Sequence, residues 1–319
     1  MTSRQRVIDT ILFKNHGRLP VDFPEPYGSD FYWVDMTPSP DKRPPQGIDE
    51  WGAEWHNIGV CNLGEVKKPA LDDWKEFADL RIPDILDPQR WTAVKNSRTQ
   101  AGDRFILSSG ISIYERVHFI RGLENTWVDI YEHPRELRRL IDLLVDMNLT
   151  AIEIYAAAGA DGFIITDDWG LQNRLMISPD KWREIWKPAY QRIFHACREA
   201  GVLTFMHSCG YIVDILDDLI DIGLTVVHMD QQENMGLELL GKRFGGRITF
   251  FSPVDIQATM AKGSLEEIRA YCHSMIEHLS RPGGGFIPRW YSDPQGAGHR
   301  PEAVQAMCEE FLTINRNKS

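Results

Sequence analysis

The run FMHSCG at residues 205–210 closes an apolar stretch and carries the most chemistry per residue in the chain. Alternate residues of a strand share a face, so His207 and Cys209 would point the same way as Leu203 and Phe205. An imidazole and a thiolate on one edge are half of a zinc site, which takes about four N, S or O ligands at roughly 2.0–2.3 Å. A buried, hydrogen-bonded histidine beside an inert cysteine gives the same spacing, and spacing alone leaves both readings open.

A second constellation is DDWG, residues 167–170, directly after the apolar run GFIIT. Asp167 has the parity of Phe163 and Ile165, and Asp168 that of Ile164 and Thr166. If the Phe163 side faces the interior, Asp167 enters the pocket near His207, there to ligate a metal or accept a proton. Asp168 then bonds to the turn. Both are candidate catalytic carboxylates, with Trp169 beside them as a candidate substrate contact. The alternative is a turn cap at Asp168 and a solvated Asp167. His228 and Asp230 share a strand face as ligands, acid–base groups or polar rim. Arg289 could hold a substrate carboxylate with its planar fork, or pair with an acid such as Asp167. Tyr291 follows on the same side as a further candidate substrate contact. The glycines 283–285 read as a turn, because no helix opens after them to cradle a phosphate. No GxSxG nucleophile elbow occurs.

The elements that must position these groups alternate. From residue 104 onward, short wholly apolar strands (FILSSG, GFIIT, VLTFMH, LTVVHM, RITFFS, GGFIPRW) alternate with amphipathic helices. One helix is expected over SPDKWREIWKPAYQRIFHACREAG, capped by Ser178, opened by Pro179 and stopped by Gly201. Apolar strands alternating with helices predict a parallel sheet covered on both faces. At this length the expected fold is a single-domain (β/α)8 TIM barrel spanning residues 1–319. In it, polar residues just past each strand converge on one end and build the site. An open doubly wound sheet is the alternative, but no GxGxxG follows its first strand. Ahead of this series lie a helix over residues 2–15 and a strand-like LPVDF. Next comes a long aromatic-rich excursion, residues 24–60, with Tyr27, Phe31, Tyr32, Trp33, Trp51 and Trp55. So many large rings predict an ordered cover over the barrel mouth, with Tyr27 reaching the substrate pocket.

The net charge of −11, with no basic patch, excludes nucleic acid as an expected partner. Five widely spaced cysteines (Cys61, Cys197, Cys209, Cys272 and Cys308) without a CxxC predict no disulfide framework. The polar start lacks the core of a signal peptide and no run approaches 18 apolar residues, so a cytoplasmic location without membrane contact is expected.

Several long blocks, taken in order, resemble the uroporphyrinogen decarboxylase superfamily. They are SRQRVIDTILFKNHGRLPVDF, IYERVHFIRGLENTWVDIYEHPRELRRLID, ADGFIITDDWGLQNRLMISPDKWREIWKPAYQRIF and GVLTFMHSCGYIVDILDDLIDIG. Residues 24–103 are the least similar. True decarboxylases of that group carry an RQAGR-type segment whose arginines hold tetrapyrrole carboxylates. Here the corresponding PVDFPEPYGSDFYW has no arginine, although Asp22 and Asp30 remain available as carboxylates. The resemblance therefore points to the cobamide-dependent methyltransferase branch, whose zinc site is His-x-Cys plus a distant Cys. His207 and Cys209 match the first half. The distant Cys is unmatched, Cys308 falling in the closing helix, so Tyr291, Asp293 or His299 would supply a third ligand and Asp167 or Asp168 a fourth. What this implies is a zinc-dependent transfer of a methyl group between a small methylated molecule and a corrinoid, free or on a corrinoid protein. A metal-free decarboxylase of a small or porphyrinogen-like acid is the alternative, and a barrel that binds without catalysis is a third.

Overall fold

The computed structural model describes residues 1–59 and 64–316. Its strands in chain order are β1 (Phe31–Val34), β2 (Gly47–Ile48), β3 (Glu54–Asn57), β4 (Gly64–Lys68), β5 (Phe105–Ser109), β6 (Gly162–Thr166), β7 (Leu203–His207), β8 (Val226–His228), β9 (Thr249–Ser252) and β10 (Phe286–Pro288). Seven of them form one parallel sheet in the order β1-β5-β6-β7-β8-β9-β10. The sheet curls: Phe31 of β1 stacks on Phe251 of β9, five strands away, with ring centroids 5.1 Å apart. Residues 19–23 lie against both sheet edges. The Asp22 amide donates to the Pro288 carbonyl and the Asp22 carbonyl accepts from Trp290 N, both at 3.0 Å. On the other side Asp30 N donates to the Val21 carbonyl at 2.8 Å.

Phe31, Phe105, Leu107, Ile164, Phe205, Val226, Phe251 and Ile287 fill the concave face, and Val7 and Ile11 of the first helix, Ser3–Ile11, plug its lower end. The interior of β6 is therefore the Ile164 side, not the Phe163 side. Phe163 and Ile165 instead pack outward in the helix-facing core. The strand is apolar on both faces because both are covered, so alternation carries no sign of which is which. Crowding settles the side: a Cβ at Gly162 would lie 2.8 Å from the rings of Phe105 and Phe205. The consequence is that Thr166 and Asp168 continue inward and Asp167 outward.

The helix expected over 178–201 divides into Pro179–Ile185 and Lys187–Glu199. Pro188 has no amide hydrogen to return to residue 184, and its ring crowds that carbonyl, so the ladder breaks there. Ser178 does cap, accepting from Lys181 N at 3.3 Å.

The excursion is held by polar ties. β2, β3 and β4 form a small antiparallel sheet, and Trp51 and Trp55 are buried. Trp51 Nε1 donates to the Pro40 carbonyl (2.8 Å) and Trp55 Nε1 to Asp49 Oδ2 (3.1 Å). Arg116, fully buried on the helix Tyr114–Arg121, reaches Asp49 at 3.0 Å and Asp41 at 3.3 Å. Cys61 and residue 60, the last of the excursion, lie outside the described residues. Among the described residues no helix is long and apolar enough to cross a membrane.

Breaking a buried ion pair by removing one partner strands the other charges and costs about 3–5 kcal/mol. Arg116→Met should lose stability on that scale in urea titration and expose residues 39–57 to limited proteolysis. Cleavage no faster than in the parent would mean that the excursion is held some other way.

Candidate active site

Strand register assembles the site in layers. Thr166 pairs with His207, and His207 with His228, so the three lie at one level of adjacent strands. Two residues further on, Asp168, Cys209 and Asp230 form the next level. Above the strands the chain segments stay in contact: Gly170 N donates to the Cys209 carbonyl at 3.1 Å and Tyr211 N to the Leu171 carbonyl at 2.8 Å. The approach requires glycine twice. A Cβ at Gly170 would sit 2.2 Å from Tyr211 N, and one at Gly210, whose φ is +73°, would sit 2.1 Å from the Gly170 carbonyl oxygen.

Asp168 Oδ1 accepts from Cys209 N at 2.8 Å and lies 3.4 Å from His207 Nε2, which is itself 3.4 Å from Cys209 Sγ. These three ligand atoms fall within 4.8 Å of one another. A second cluster shares the same histidine through its other nitrogen. His207 Nδ1 is 3.1 Å from His228 Nδ1, and His228 Nε2 is 3.0 Å from Asp230 Oδ1. Arg289 Nη1 approaches the His228 ring, 2.9 Å from Nε2. Burial works against charge on His207, but the Cys209 sulfur and the Asp168 carboxylate raise its pKa well above the ordinary value. Burial likewise opposes the Asp168 charge, and the hydrogen bond with His207 more than offsets it. Burial pushes the Cys209 thiol up, with His207 pulling the other way. His228 is depressed to about 3 by burial and by Arg289, so it is neutral. Asp230, although buried, is held below the usual carboxylate range by His228, His207 and Arg289.

All of these groups line a cavity of about 670 Å³, as does Tyr291, whose phenol is pushed up to about 12 by burial and by Asp230. The excursion and its flank add Asp22, Trp33 and Arg43. Arg43 pairs with Glu115 and was not singled out from sequence, because a lone arginine in an irregular stretch carries no periodic signal. It also qualifies the missing basic clamp: two guanidinium groups do line the cavity, from positions outside the expected segment.

Three expected site residues lie elsewhere. Asp167 is fully buried outside the ring of strands, accepting from Ile113 N (3.0 Å), Glu115 N (2.9 Å) and the Tyr190 hydroxyl (2.7 Å). Burial lifts its pKa to about 7 against those donors. Trp169 is fully buried, stacked on Tyr114 with centroids 4.0 Å apart and donating to the Tyr190 hydroxyl. Tyr27 faces a separate hollow beside Arg18 and Leu312, because the chain turns back at Gly28 before it reaches the mouth. Of the alternative third ligands, only Tyr291 lines the cavity. Asp293 accepts from Gly296 N, and His299 contacts the Ile256 carbonyl.

The two adjacent acids should therefore behave oppositely to the expectation from strand parity. Asp168→Asn should weaken binding of a divalent ion while leaving the melting temperature nearly unchanged. Asp167→Asn should lower stability by about 1–3 kcal/mol, the cost of leaving a buried donor unmatched. Calorimetric melting and metal titration of both variants check this, and an unstable Asp168→Asn with a robust Asp167→Asn would reverse the assignment.

A family model described as uroporphyrinogen decarboxylase (URO-D) matches residues 64–290. Curated uroporphyrinogen decarboxylases of Bacillus anthracis and Bacillus cereus (strain B4264) are 34% and 33% identical over 111 residues. In each case the match covers 34% of this chain and only 30% of the relative's own length. A solved structure described as a methyltransferase from Methanosarcina mazei superposes with a TM-score of 0.73 over 98% of this chain and 99% of that one, at 16% identity. At that identity the likeness speaks for the fold. With the family model covering well over half of its length, this chain belongs to the uroporphyrinogen decarboxylase (URO-D) family.

Proposed function

We propose that this chain is a cytoplasmic, single-domain (β/α)8 barrel, its eighth position filled by residues 19–23. On this reading it is a metal-dependent methyltransferase that moves a methyl group between a small methylated substrate and a corrinoid, free or on a corrinoid protein. The observation that carries the reading is the convergence of Asp168, His207 and Cys209 on the floor of the cavity. The donor set fits zinc: one imidazole nitrogen, one sulfur and one carboxylate oxygen, with Tyr291 within the same cavity. The description of the Methanosarcina mazei structure as a methyltransferase agrees with it.

Zinc held there would act as a Lewis acid, lowering the pKa of a bound thiol or polarising an ether or amine leaving group. The chain's own residues prepare that site. With zinc on His207 Nε2, its Nδ1–H would face His228 Nδ1 and leave the His228 Nε2–H for Asp230. A ligand histidine whose other nitrogen is held in this way has a fixed tautomer and ring orientation. Asp168 is already ionised and is aimed by Cys209 N. Burial pushes the Cys209 thiol up, and a bound cation would favour its thiolate. Trp33, Trp290 and Tyr291 line the cavity and would shield a bound methyl group from water.

A second reading, metal-free decarboxylation of a small acid, draws on Arg43 and Arg289 in the same cavity. One measurement separates the two. The purified protein should hold about one equivalent of zinc or a similar divalent ion, as a single site of this kind requires. His207→Ala and Cys209→Ser should each lose it while remaining folded by circular dichroism, and with it methyl transfer to free corrinoid. A parent protein without metal, or full occupancy in both variants, would favour the metal-free reading.

A further inference from the structure

Four arginines are buried among the described residues: Arg90, Arg116, Arg121 and Arg289. Three of them meet a carboxylate, Arg90 at Glu50 (2.8 Å), Arg116 at Asp49 (3.0 Å) and Arg121 at Asp129 (2.9 Å). Arg289 does not. No described carboxylate oxygen comes within 4.0 Å of its guanidinium, which is 6% exposed and lines the cavity. Its Nε donates to the Trp290 carbonyl at 3.0 Å and its Nη1 contacts the His228 ring, 2.9 Å from Nε2. Nη2 donates to no described group. Its Cζ lies over the rings of Phe251 and Trp33, 4.8 and 5.5 Å from their centroids.

A desolvated cation is costly unless an anion meets it, and a guanidinium held rigid presents a two-pronged donor shaped for a carboxylate. The acids that share the cavity are engaged elsewhere. Asp22 accepts from the Ser29 hydroxyl (2.7 Å) and Trp33 Nε1 (3.1 Å), Asp230 faces His228, and Asp168 faces His207 and Cys209 N. Arg43, the other guanidinium in the cavity, is paired with Glu115. The open valence of the site is therefore at Arg289. Two aromatic side chains, Trp33 and Tyr291, line the same cavity.

We propose that the small substrate of this site is a carboxylic acid, its carboxylate seated on Arg289 and its flat body lying along Trp33 and Tyr291. Calling that acid the methyl donor rests on the methyl-transfer reading, whereas the carboxylate seat itself does not. The probes are benzoate and benzamide, nearly equal in shape and different in charge, titrated calorimetrically into the purified protein with and without chelation of metal. The chelated arm keeps a metal-bound carboxylate from imitating the Arg289 seat.

Benzoate should bind about tenfold or more tightly than benzamide in both arms, as one charge-assisted pair worth about 1.4 kcal/mol provides. Arg289→Gln should abolish the preference, Arg289→Lys should restore part of it, and Arg43→Gln should keep it. Equal binding of the two probes by the parent, binding of neither, or loss of the preference in Arg43→Gln in place of Arg289→Gln overturns the proposal. The parent comparison and Arg289→Lys decide the matter even where Arg289→Gln folds poorly. A benzoate preference that depends on Arg289 in a protein with no metal and no methyl transfer would retain the carboxylate seat and remove the methyl-transfer reading. Metal and methyl transfer without the preference would do the reverse.

Discussion

β6, β7 and β8 run parallel in a register that sets Thr166 beside His207 and His207 beside His228, and the contact of Gly170 with Gly210 carries that register past the strand ends. Everything chemical in the molecule follows from it. With side chains alternating along each strand, the level above holds Asp168, Cys209 and Asp230, so two acids and a thiol meet two imidazoles within hydrogen-bond range. A slip of one residue would exchange Asp168 for Asp167 and turn Cys209 toward the helices. The two glycines leave no room for such a slip, because any side chain at either position would occupy the space of the neighbouring backbone.

That geometry is also an electrostatic arrangement. Neutral His228 stands between His207 and an ionised Asp230, and Arg289 closes the row from β10. Burial strengthens each of these interactions and raises the cost of leaving any member unpaired. The excursion before β5 completes the enclosure from the other side. Its ties to Arg116 hold residues 41–55 close to the helix Tyr114–Arg121, which brings Arg43 to the rim and leaves Trp33 over Arg289. The strand ends and the excursion thus contribute different things. The strand ends supply the imidazoles, the thiol and two carboxylates, and the excursion supplies walls.

The strand ends were legible in the sequence because apolar runs stop there and polar residues begin. His207, Cys209, His228, Asp230, Arg289 and Tyr291 all reach the cavity on that rule. The inward face of β6 was not legible. Phe163 and Ile164 are equally buried, one against helices and one against the opposite strands, and hydrophobicity cannot distinguish the two environments. Gly162 was the available clue, since a side chain is excluded where Phe105 and Phe205 converge. The break before Lys187 was signalled by Pro188. Arg43 and Tyr27 lie in a stretch without period, where destination depends on long-range ties such as Arg116 to Asp49, separated by 67 residues.

A cation at this site would meet one sulfur and a mixed set of nitrogen and oxygen donors. Zinc K-edge X-ray absorption on the loaded protein reads that set directly. The spectrum should show one sulfur scatterer at about 2.3 Å with two or three nitrogen or oxygen scatterers at about 2.0–2.2 Å. A shell with no sulfur would move the metal away from Cys209, and a shell with two sulfurs would need a second cysteine that no described residue of the cavity provides; either result would overturn the ligand set proposed here.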